Sequence, residues 1–229
     1  MTQMPHMPRE ASVAAAQAAL ADAGWREIGV GDWSWVMADP EDRVAIRLTP
    51  FDPAYRLHAE AVLAGPPNRW LPRIDAVTPL AGDGYAVVME RLWPADESRA
   101  EAFCAALGIR NDSGYQLREG LDFEDADADL ASLRERVLAL SAEGARRYRL
   151  WGGSDIRPGN VMADAAGGLK LVDPIFLRGL GVVEAIQEGR RDLLADFTRG
   201  QLEAFLTIPP FKPGAETDAM AARLASLYD

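Results

Sequence analysis

The beginning of the chain changes from a helical to a strand-like pattern of apolar residues. Residues 9–23 are rich in alanine and other good helix formers, and Gly24 stands where a helix C-cap belongs, so an opening helix is predicted. From Trp25 to Leu48 the pattern is strand-like and is interrupted by turn residues at 39–42. This segment predicts a β-hairpin, whose second strand is the short run from Val44 to Leu48.

The rest of the chain adds one more strand pattern and three helical ones. A helix-like segment runs from Ala54 to Ala64, and an apolar strand pattern follows from Tyr85 to Leu92. Beyond it the pattern is helical over Ala100–Leu107 and Leu130–Tyr148. The longer helix is predicted to bury one apolar face, made of Leu133, Val137, Leu138 and Leu140. The acidic, glycine-containing stretch between the last two helices predicts a loop.

Length and charge indicate a globular protein that can bury a sizeable core. The chain has 229 residues, 48% hydrophobic and 26% charged, which is enough for one large domain or two small lobes. The net charge of -11 argues against a nucleic-acid partner, whose phosphates need clustered cations. The sequence shows no apolar run of about 18 residues and no charged start before an apolar run, so neither a membrane partner nor a secretory signal is predicted.

The single cysteine indicates the redox environment in which the protein is expected. Cys104 has the apolar neighbours Phe103 and Ala105, so it predicts a small buried residue and not a nucleophile. One cysteine excludes an internal disulfide, and we therefore expect a protein of the reducing cytoplasm.

Three oxygen-bearing side chains occur at spacings that phosphoryl transfer uses. Asp155 and Asn160 lie five apart on a predicted loop, and Asp173 follows Asn160 by thirteen, enough for one β-hairpin to bring all three together. Such a trio can orient a hydroxyl group and hold Mg²⁺ on a triphosphate. The alternative is purely structural, because Asp, Asn, Pro and Gly are ordinary turn residues and Asp173-Pro174 can end a strand.

This segment resembles the catalytic loop and metal-binding Asp of the protein-kinase-like superfamily, which includes aminoglycoside and fructosamine kinases. Its Asp-Ile-Arg-Pro-Gly-Asn is similar to the Asp-Leu-Lys-Pro-x-Asn of Ser/Thr kinases. The resemblance implies that Asp155 orients a substrate hydroxyl or accepts its proton, and that Arg157 faces the γ-phosphate of ATP. It also implies that Asn160 and Asp173 bind Mg²⁺.

Residues 29–36 are similar to the glycine-rich loop of kinases. Gly29 and Gly31 match its first two glycines, Ser34 stands at the third, and Val36 follows. Glycines in such a loop let backbone N–H groups approach phosphates closely, so the resemblance implies a nucleotide contact here. A plain hairpin turn is the alternative.

The next strand, Val-Ala-Ile-Arg, resembles the kinase Val-Ala-Ile-Lys motif with arginine in place of lysine. The resemblance implies that Arg47, steadied by Glu60 on the following helix, holds the α- and β-phosphates. Arginine is planar and forked, so the replacement changes the phosphate contact. An ordinary surface ion pair is the alternative.

The resemblance implies roles for two further segments. The backbone of Glu90, Arg91 and Leu92 would hydrogen-bond adenine in a kinase hinge, with Met89 lining the base pocket. The run from Arg190 to Ala195 resembles the helix start that follows the metal Asp in small-molecule kinases. There Asp192 would brace the catalytic loop, or else serve only as a helix N-cap.

The chain departs from the kinase pattern in three places. Gly153 and Ser154 stand where His-Arg precedes the catalytic Asp, and Pro174-Ile175 replaces Phe-Gly. The sequence lacks an Ala-Pro-Glu motif and a long activation segment, which argues against regulation by phosphorylation of that segment.

The resemblance covers about residues 25–205 and implies an α+β, bilobal protein-kinase-like fold. The implied parts are an N-terminal helix at 1–24, a small β-rich N-lobe at 25–92 and a mainly helical C-lobe at 93–229 with a reduced activation segment. The implied activity is ATP- and Mg²⁺-dependent transfer of the γ-phosphate to a hydroxyl acceptor.

Three functional alternatives stay open. Arg157 favours a protein Ser/Thr kinase, because Ser/Thr kinases have a lysine at that position. The short activation segment and Asp173-Pro174 favour a small-molecule kinase. Arg47 and Ser34 favour a non-catalytic, kinase-like nucleotide-binding or scaffold module.

Overall fold

The computed structural model describes residues 11–118 and 120–228 and is a mixed α/β structure, as predicted. The part of the predicted opening helix and of the predicted segment 1–24 that falls on residues 1–10 lies outside the described residues. The helices are α1 (Val13–Asp22), α2 (Pro53–Ala64), α3 (Glu97–Leu107), α4 (Ala128–Arg147), α5 (Gly179–Glu188), α6 (Arg191–Leu194), α7 (Arg199–Phe205) and α8 (Ala215–Ser226). The strands are β1 (Arg26–Val30), β2 (Trp35–Ala38), β3 (Val44–Thr49), β4 (Ile74–Pro79), β5 (Tyr85–Glu90), β6 (Trp93–Pro94), β7 (Trp151–Ser154), β8 (Val161–Ala163), β9 (Leu169–Leu171) and β10 (Ile175–Leu177).

The described chain forms two compact units that are assembled from separate stretches of sequence. The first unit comprises residues 11–52, 74–89 and 179–228, and the second comprises residues 53–73 and 90–178. The predicted parts, in contrast, are continuous stretches of sequence that end at residues 24 and 92. These boundaries stay a prediction.

The first unit contains a five-stranded sheet in the order β1-β2-β3-β5-β4. The pairs β1–β2, β2–β3 and β4–β5 are antiparallel. Helix α1 packs on this sheet through Ala16 and Leu20, which are buried together with Ile46 and Leu48 of β3. Full burial of one such leucine or isoleucine contributes about 1.5–3 kcal/mol, so this layer is the main core of the unit.

Local sequence sets the ends of α1 and the β2–β3 turn. The Ser12 hydroxyl accepts a hydrogen bond from the Ala15 N–H and caps the helix, and Gly24 follows its end with a φ of +84°, as the C-cap pattern predicts. In the β2–β3 turn, the Asp39 carboxylate accepts from the N–H groups of Arg43 and Val44 at 2.6 and 2.9 Å. The predicted opening helix and hairpin are therefore both present.

The second unit packs helices around two small sheets. Helix α4 begins at its N-cap Asp127 and buries Leu130, Leu133 and Val137. The prediction that Leu138 belongs to this buried face is wrong, because its side chain is 46% exposed. Leu138 lies one residue, or about 100° of helical turn, beyond Val137, so it points away from the row that Leu133 and Val137 form.

Three short strand pairings shape the region that precedes α5. Strand β7 pairs antiparallel with β10, and β8 pairs antiparallel with both β6 and β9. Within residues 11–118 and 120–228, none of the helices is long and apolar enough to cross a membrane.

Candidate active site

The structure brings Asp155, Asn160 and Asp173 together inside the second unit. Strand β7 ends at Ser154, a loop and a short 3-10 turn carry Asp155 and Asn160, and the β8–β9 hairpin returns the chain to Asp173. The Asp155 N–H donates to the Pro174 carbonyl at 2.8 Å and so fastens the beginning of this segment to its end. One hairpin thus brings the backbone of Asp173 next to the side chains of Asp155 and Asn160.

The Asn160 side chain is the link between the other two residues. Its Nδ2 lies 2.8 Å from the backbone carbonyl of Asp155, 2.8 Å from Asp155 Oδ2 and 2.8 Å from the backbone carbonyl of Asp173. The amide nitrogen has two hydrogens for these three acceptors, so one of the bonds is shared. Asn160 itself is buried, which protects these bonds from competition by water.

This surrounding also fixes the orientation of the Asn160 amide. Three oxygens that only accept hydrogen bonds face the nitrogen, so a flipped amide would set its oxygen against all three. The Asn160 Oδ1 atom makes no hydrogen bond to any described residue. The amide oxygen of Asn160 is therefore available to bind a ligand.

The two carboxylate oxygens of Asp155 have different surroundings. Oδ2 accepts from Asn160 Nδ2 and from Arg157 Nε, the latter at 3.0 Å. Oδ1 is buried and has no hydrogen-bond partner in the described part of the chain. Leaving a buried acceptor unpaired costs about 1–3 kcal/mol, and native proteins retain such groups chiefly where they have a function.

Arg157 bridges the carboxylate and the solvent. Its Nε donates to Asp155 Oδ2, while 47% of its side chain is exposed. Among the described residues, its two terminal nitrogens make no hydrogen bond. A guanidinium held this way can offer its outer N–H groups to an anion such as a phosphate while it stays on Asp155.

Asp112 supports the strand that leads into Asp155, although no sequence pattern indicated a role for it. The Asp112 carboxylate accepts from the Ser154 N–H at 3.0 Å, and the Asp112 N–H donates to the Ser154 carbonyl at 2.9 Å. A Cβ on Gly153 would lie only 2.4 Å from Asp112 Oδ2, and Gly153 has a φ of +107°. Only glycine fits here. The Gly152-Gly153 pair was the available signal, because strand glycines mark a close backbone approach.

The donor set fits a magnesium ion that is shared with a polyphosphate. Asn160 Oδ1 and the Asp173 carboxylate are hard oxygen ligands, and Mg²⁺ is commonly bound by one or two protein oxygens together with substrate phosphates. Within the described residues there is no group of three or more His, Cys, Asp and Glu side chains that could hold a metal ion. Any further ligands would have to be substrate or water oxygens.

Three of the predicted phosphate-contacting residues lie in register across the first unit's sheet. Gly29 of β1 pairs with Val36 of β2, and Val36 pairs with Arg47 of β3. The Gly31 N–H donates to the Ser34 carbonyl at 2.9 Å in the β1–β2 turn, and Ser34 is buried. The stretch is a tight hairpin that carries its glycines at the strand end, and its role in nucleotide binding stays a prediction.

Arg47 and Glu60 each have an ion-pair partner that is close in sequence. Arg47 Nη2 lies 3.0 Å from Asp52 Oδ2, and only 11% and 6% of these two side chains are exposed. Glu60 accepts from Arg56 Nε at 2.8 Å, one helical turn earlier in α2. The sequence pattern did not indicate Asp52. Its proximity arises because the chain turns at the end of β3, and its backbone carbonyl also accepts from the Tyr85 hydroxyl at 2.7 Å.

The predicted adenine-contacting segment already uses some of its polar groups. The Glu90 N–H donates to the Arg73 carbonyl at 3.1 Å, and the Leu92 carbonyl accepts from the Arg91 side chain. The Arg91 guanidinium also lies over the Trp93 ring, 4.9 Å from its centroid. Met89 ends the buried run of β5, where it pairs with Ile74.

Asp192 lies within α6 and not at its N-cap, which is Arg190. Both of its carboxylate oxygens accept from the Arg190 guanidinium at 3.0 Å. This bidentate hydrogen bonding lowers the pKa of Asp192 below its ordinary value. The N-cap alternative for Asp192 is therefore wrong, and its predicted role as a brace of the catalytic loop stays a prediction.

No protein-family model matches this chain, and no curated protein matches it significantly. Among solved structures it is similar to a CAK complex from Chaetomium thermophilum bound to ATP-gamma-S, with a TM-score of 0.36 and 18% identity over 70% of this chain and 49% of that one. It is also similar to a MAP kinase from Leishmania major, with a TM-score of 0.34 and 11% identity over 95% of this chain and 73% of that one. The chain thus spans about half the length of the first of these. TM-scores below 0.5 do not establish a common fold. The geometry of the site is therefore the basis for a proposed function.

Proposed function

We propose that this chain is an ATP- and Mg²⁺-dependent phosphotransferase with a bilobal, protein-kinase-like fold. It would move the γ-phosphate of ATP to a hydroxyl group of an acceptor. The observation that carries the proposal is the Asn160 side chain, which joins Asp155 to Asp173 through its nitrogen and leaves its oxygen for a ligand.

Each residue of the trio has a distinct role in this proposal. Asp155 orients the acceptor hydroxyl or receives its proton, after a movement of Arg157 or of the loop has opened one of its carboxylate oxygens. Asn160 and Asp173 would hold Mg²⁺, which when bound neutralises charge on the triphosphate. The chain's own contribution is to position the reactants and to compensate charge, and no covalent intermediate is needed.

Arg157 contributes both to order and to charge. Through Nε it keeps the Asp155 carboxylate in one orientation, and its outer nitrogens can donate to a γ-phosphate oxygen. Because half of the side chain is in solvent, it can adjust when substrates bind. The proposal keeps the predicted contacts of Gly29, Gly31 and Arg47 with the phosphates of ATP.

A non-catalytic nucleotide-binding module is the second candidate, and the surroundings of Asp155 favour it. One carboxylate oxygen is buried and the other is held by two donors, so an acceptor hydroxyl reaches the carboxylate only if Arg157 or the loop moves. A binding module would need no such movement. The two candidates therefore differ in whether phosphate leaves ATP.

The acceptor class divides the catalytic proposal further. Arg157 at the lysine position of Ser/Thr kinases favours a protein hydroxyl, whereas the short chain segment after Asp173 favours a small molecule. The excess of acidic residues, with a net charge of -11, suits a cationic acceptor of either kind.

The test is turnover of [γ-³²P]ATP by the wild type, Asp155→Asn and Asp173→Asn, with basic proteins and with amino or hydroxyl metabolites as acceptors. Asp155→Asn keeps the size of the side chain but removes the proton acceptor, so transfer should fall by about 10² to 10⁴ while ATP affinity is kept. Asp173→Asn should weaken Mg²⁺-ATP binding and transfer together. Asp164→Asn is a matched control, since Asp164 lies in the β8–β9 turn and not in the trio.

The molecule that carries the ³²P label after the reaction distinguishes the candidates. Label on a protein Ser or Thr supports the first acceptor class, and label on a metabolite supports the second. If the wild type binds ATP but neither transfers phosphate nor hydrolyses ATP above background, the chain is a binding module.

A further inference from the structure

Helices α2 and α4 line a half-open cavity of about 440 Å³, and all of its lining residues belong to the second unit. Its volume falls within the range of about 300–1,000 Å³ that is usual for pockets of small ligands. None of its lining residues belongs to the candidate active site. Seven apolar residues form most of the wall: Ala61, Val62, Leu71, Leu133, Val137, Ala139 and Leu140.

The polar side chains of the lining are His58, Arg136, Glu143 and Arg146. His58 is buried in the wall, next to the Tyr55 ring. Glu143 is already neutralised, because it forms ion pairs with both Arg146 and Arg147. Because two arginines share this one carboxylate, the surroundings of the cavity carry a net positive charge, and Arg136 is the lining cation that lies outside this cluster.

Arg136 has no hydrogen bond and no ion pair with any described residue, although its side chain is only partly exposed. Its Nη1 lies 3.6 Å from the place that a Cβ of Gly65 would take, at the end of α2. The last carbonyl groups of a helix attract cations, so the C-terminal end of α2 holds this guanidinium beside the cavity. An apolar cavity with one unpaired guanidinium at its wall is complementary to a molecule with an apolar body and one anionic group.

We propose that this cavity is a binding site for small amphipathic carboxylates. The apolar body would fill the space between α2 and α4, and the carboxylate would accept two parallel hydrogen bonds from Arg136. Removing a carboxylate monoanion from water costs less than removing a phosphate dianion, and most of the wall is apolar, so the cavity favours the carboxylate.

The site is independent of the proposed phosphotransfer, and its test measures binding only. The probe is sodium octanoate, and octan-1-ol is its neutral counterpart of similar length. Calorimetry gives the affinity, and methyl NMR of Val62, Val137 and Leu140 reports the place of binding. We expect octanoate to shift these methyl signals and to bind more tightly than octan-1-ol.

Three variants test the assignment of the residues. Arg136→Gln removes the cation and should weaken octanoate binding by about tenfold or more, with little change for octan-1-ol. Arg134→Gln is the matched control, because Arg134 is exposed on the same helix and does not line the cavity. Ala61→Phe places a large side chain at an exposed lining position and should block both ligands.

Three results would each overturn the proposal. The first is no methyl shift with octanoate at millimolar concentration. The second is equal affinity for octanoate and octan-1-ol in the wild type. The third is an equal loss of octanoate affinity in the Arg134 and Arg136 variants.

Discussion

Asn160 donates a hydrogen bond of 2.8 Å from its side-chain amide to the backbone carbonyl of Asp173. The same nitrogen holds Asp155, so the geometry of all three residues depends on one buried amide. The bond also ties the backbone of Asp173 to the residue whose amide oxygen we assign to Mg²⁺. Loss of this amide should therefore affect the fold and the metal site together.

Mg²⁺ with ATP should raise the melting temperature of the wild type, whereas Mg²⁺ alone should not. A ligand that binds the folded state at 100 times its Kd stabilises it by about 2.7 kcal/mol, which is several degrees for a chain of this length. Asn160→Ala should abolish most of this shift. Asn111→Ala, at an exposed amide in a surface turn, is the control and should keep it. The absence of any shift in the wild type at millimolar ATP would contradict nucleotide binding.

Arg47→Ala should weaken ATP binding, while Arg47→Lys should retain or improve it. The reason is that a lysine ammonium also binds phosphates, whereas alanine removes the charge. Arg47→Ala also removes an ion-pair partner of the buried Asp52, so the stability of the variant must be measured beside its affinity. Arg56→Ala, in the exposed ion pair with Glu60, is the control. Equal ATP affinity in the wild type and in Arg47→Ala would reduce Arg47 to a structural ion pair with Asp52.

Gly153→Ala should destabilise the fold, and Gly159→Ala in the same segment should not. The backbone at Gly153 has a φ of +107°, which costs a non-glycine residue about 1–3 kcal/mol, and the added methyl group would also collide with Asp112. A Cβ on Gly159 would meet nothing within 4 Å, and its φ is not in the left-handed region. Urea unfolding followed by tryptophan fluorescence measures both variants. Similar midpoints for the two would show that Asp112 does not constrain β7.

The Cys104 thiol should stay unreactive in the folded protein at pH 8. Burial, together with the negative charges of Glu101 and Asp155, raises the pKa of this thiol to about 12. The thiolate is the reactive form, so labelling by iodoacetamide should occur only after unfolding in urea. The folded pKa lies above the ordinary value of 9.0, so the thiol stabilises the fold less as the pH rises from about 9 towards 12. Rapid labelling of the native protein at pH 8 would contradict this burial.

Much of the local structure follows from the sequence, because it depends on neighbours along the chain. The Ser12 and Gly24 ends of α1 and the hairpin before Arg47 are set by capping and turn residues. The spacing of Asp155, Asn160 and Asp173 was also readable, since a single hairpin joins them.

What the sequence could not predict depends on residues that meet only in the fold. Asp112 lies in a loop whose composition indicates no partner, yet it pairs with Ser154, which lies 42 residues further along. Asp52 competes for Arg47, and no pattern distinguishes it from the other acidic residues nearby. In the same way, the sequence does not distinguish the unpaired Arg136 from the many other arginines. Only the cavity beside Arg136 indicates that this residue could bind a ligand.

Asn160 forms hydrogen bonds with Asp155, five positions before it, and with Asp173, thirteen positions after it. The contacts within the trio are therefore local in sequence, which means a low contact order. The first unit, by contrast, combines residues near the start of the chain with residues after 178 and closes long loops. During synthesis, the β7–β10 segment can therefore form its internal bonds before the first unit has received its last helices. We expect the order of folding events to run against the order of the sequence, with the middle of the chain structured ahead of its beginning.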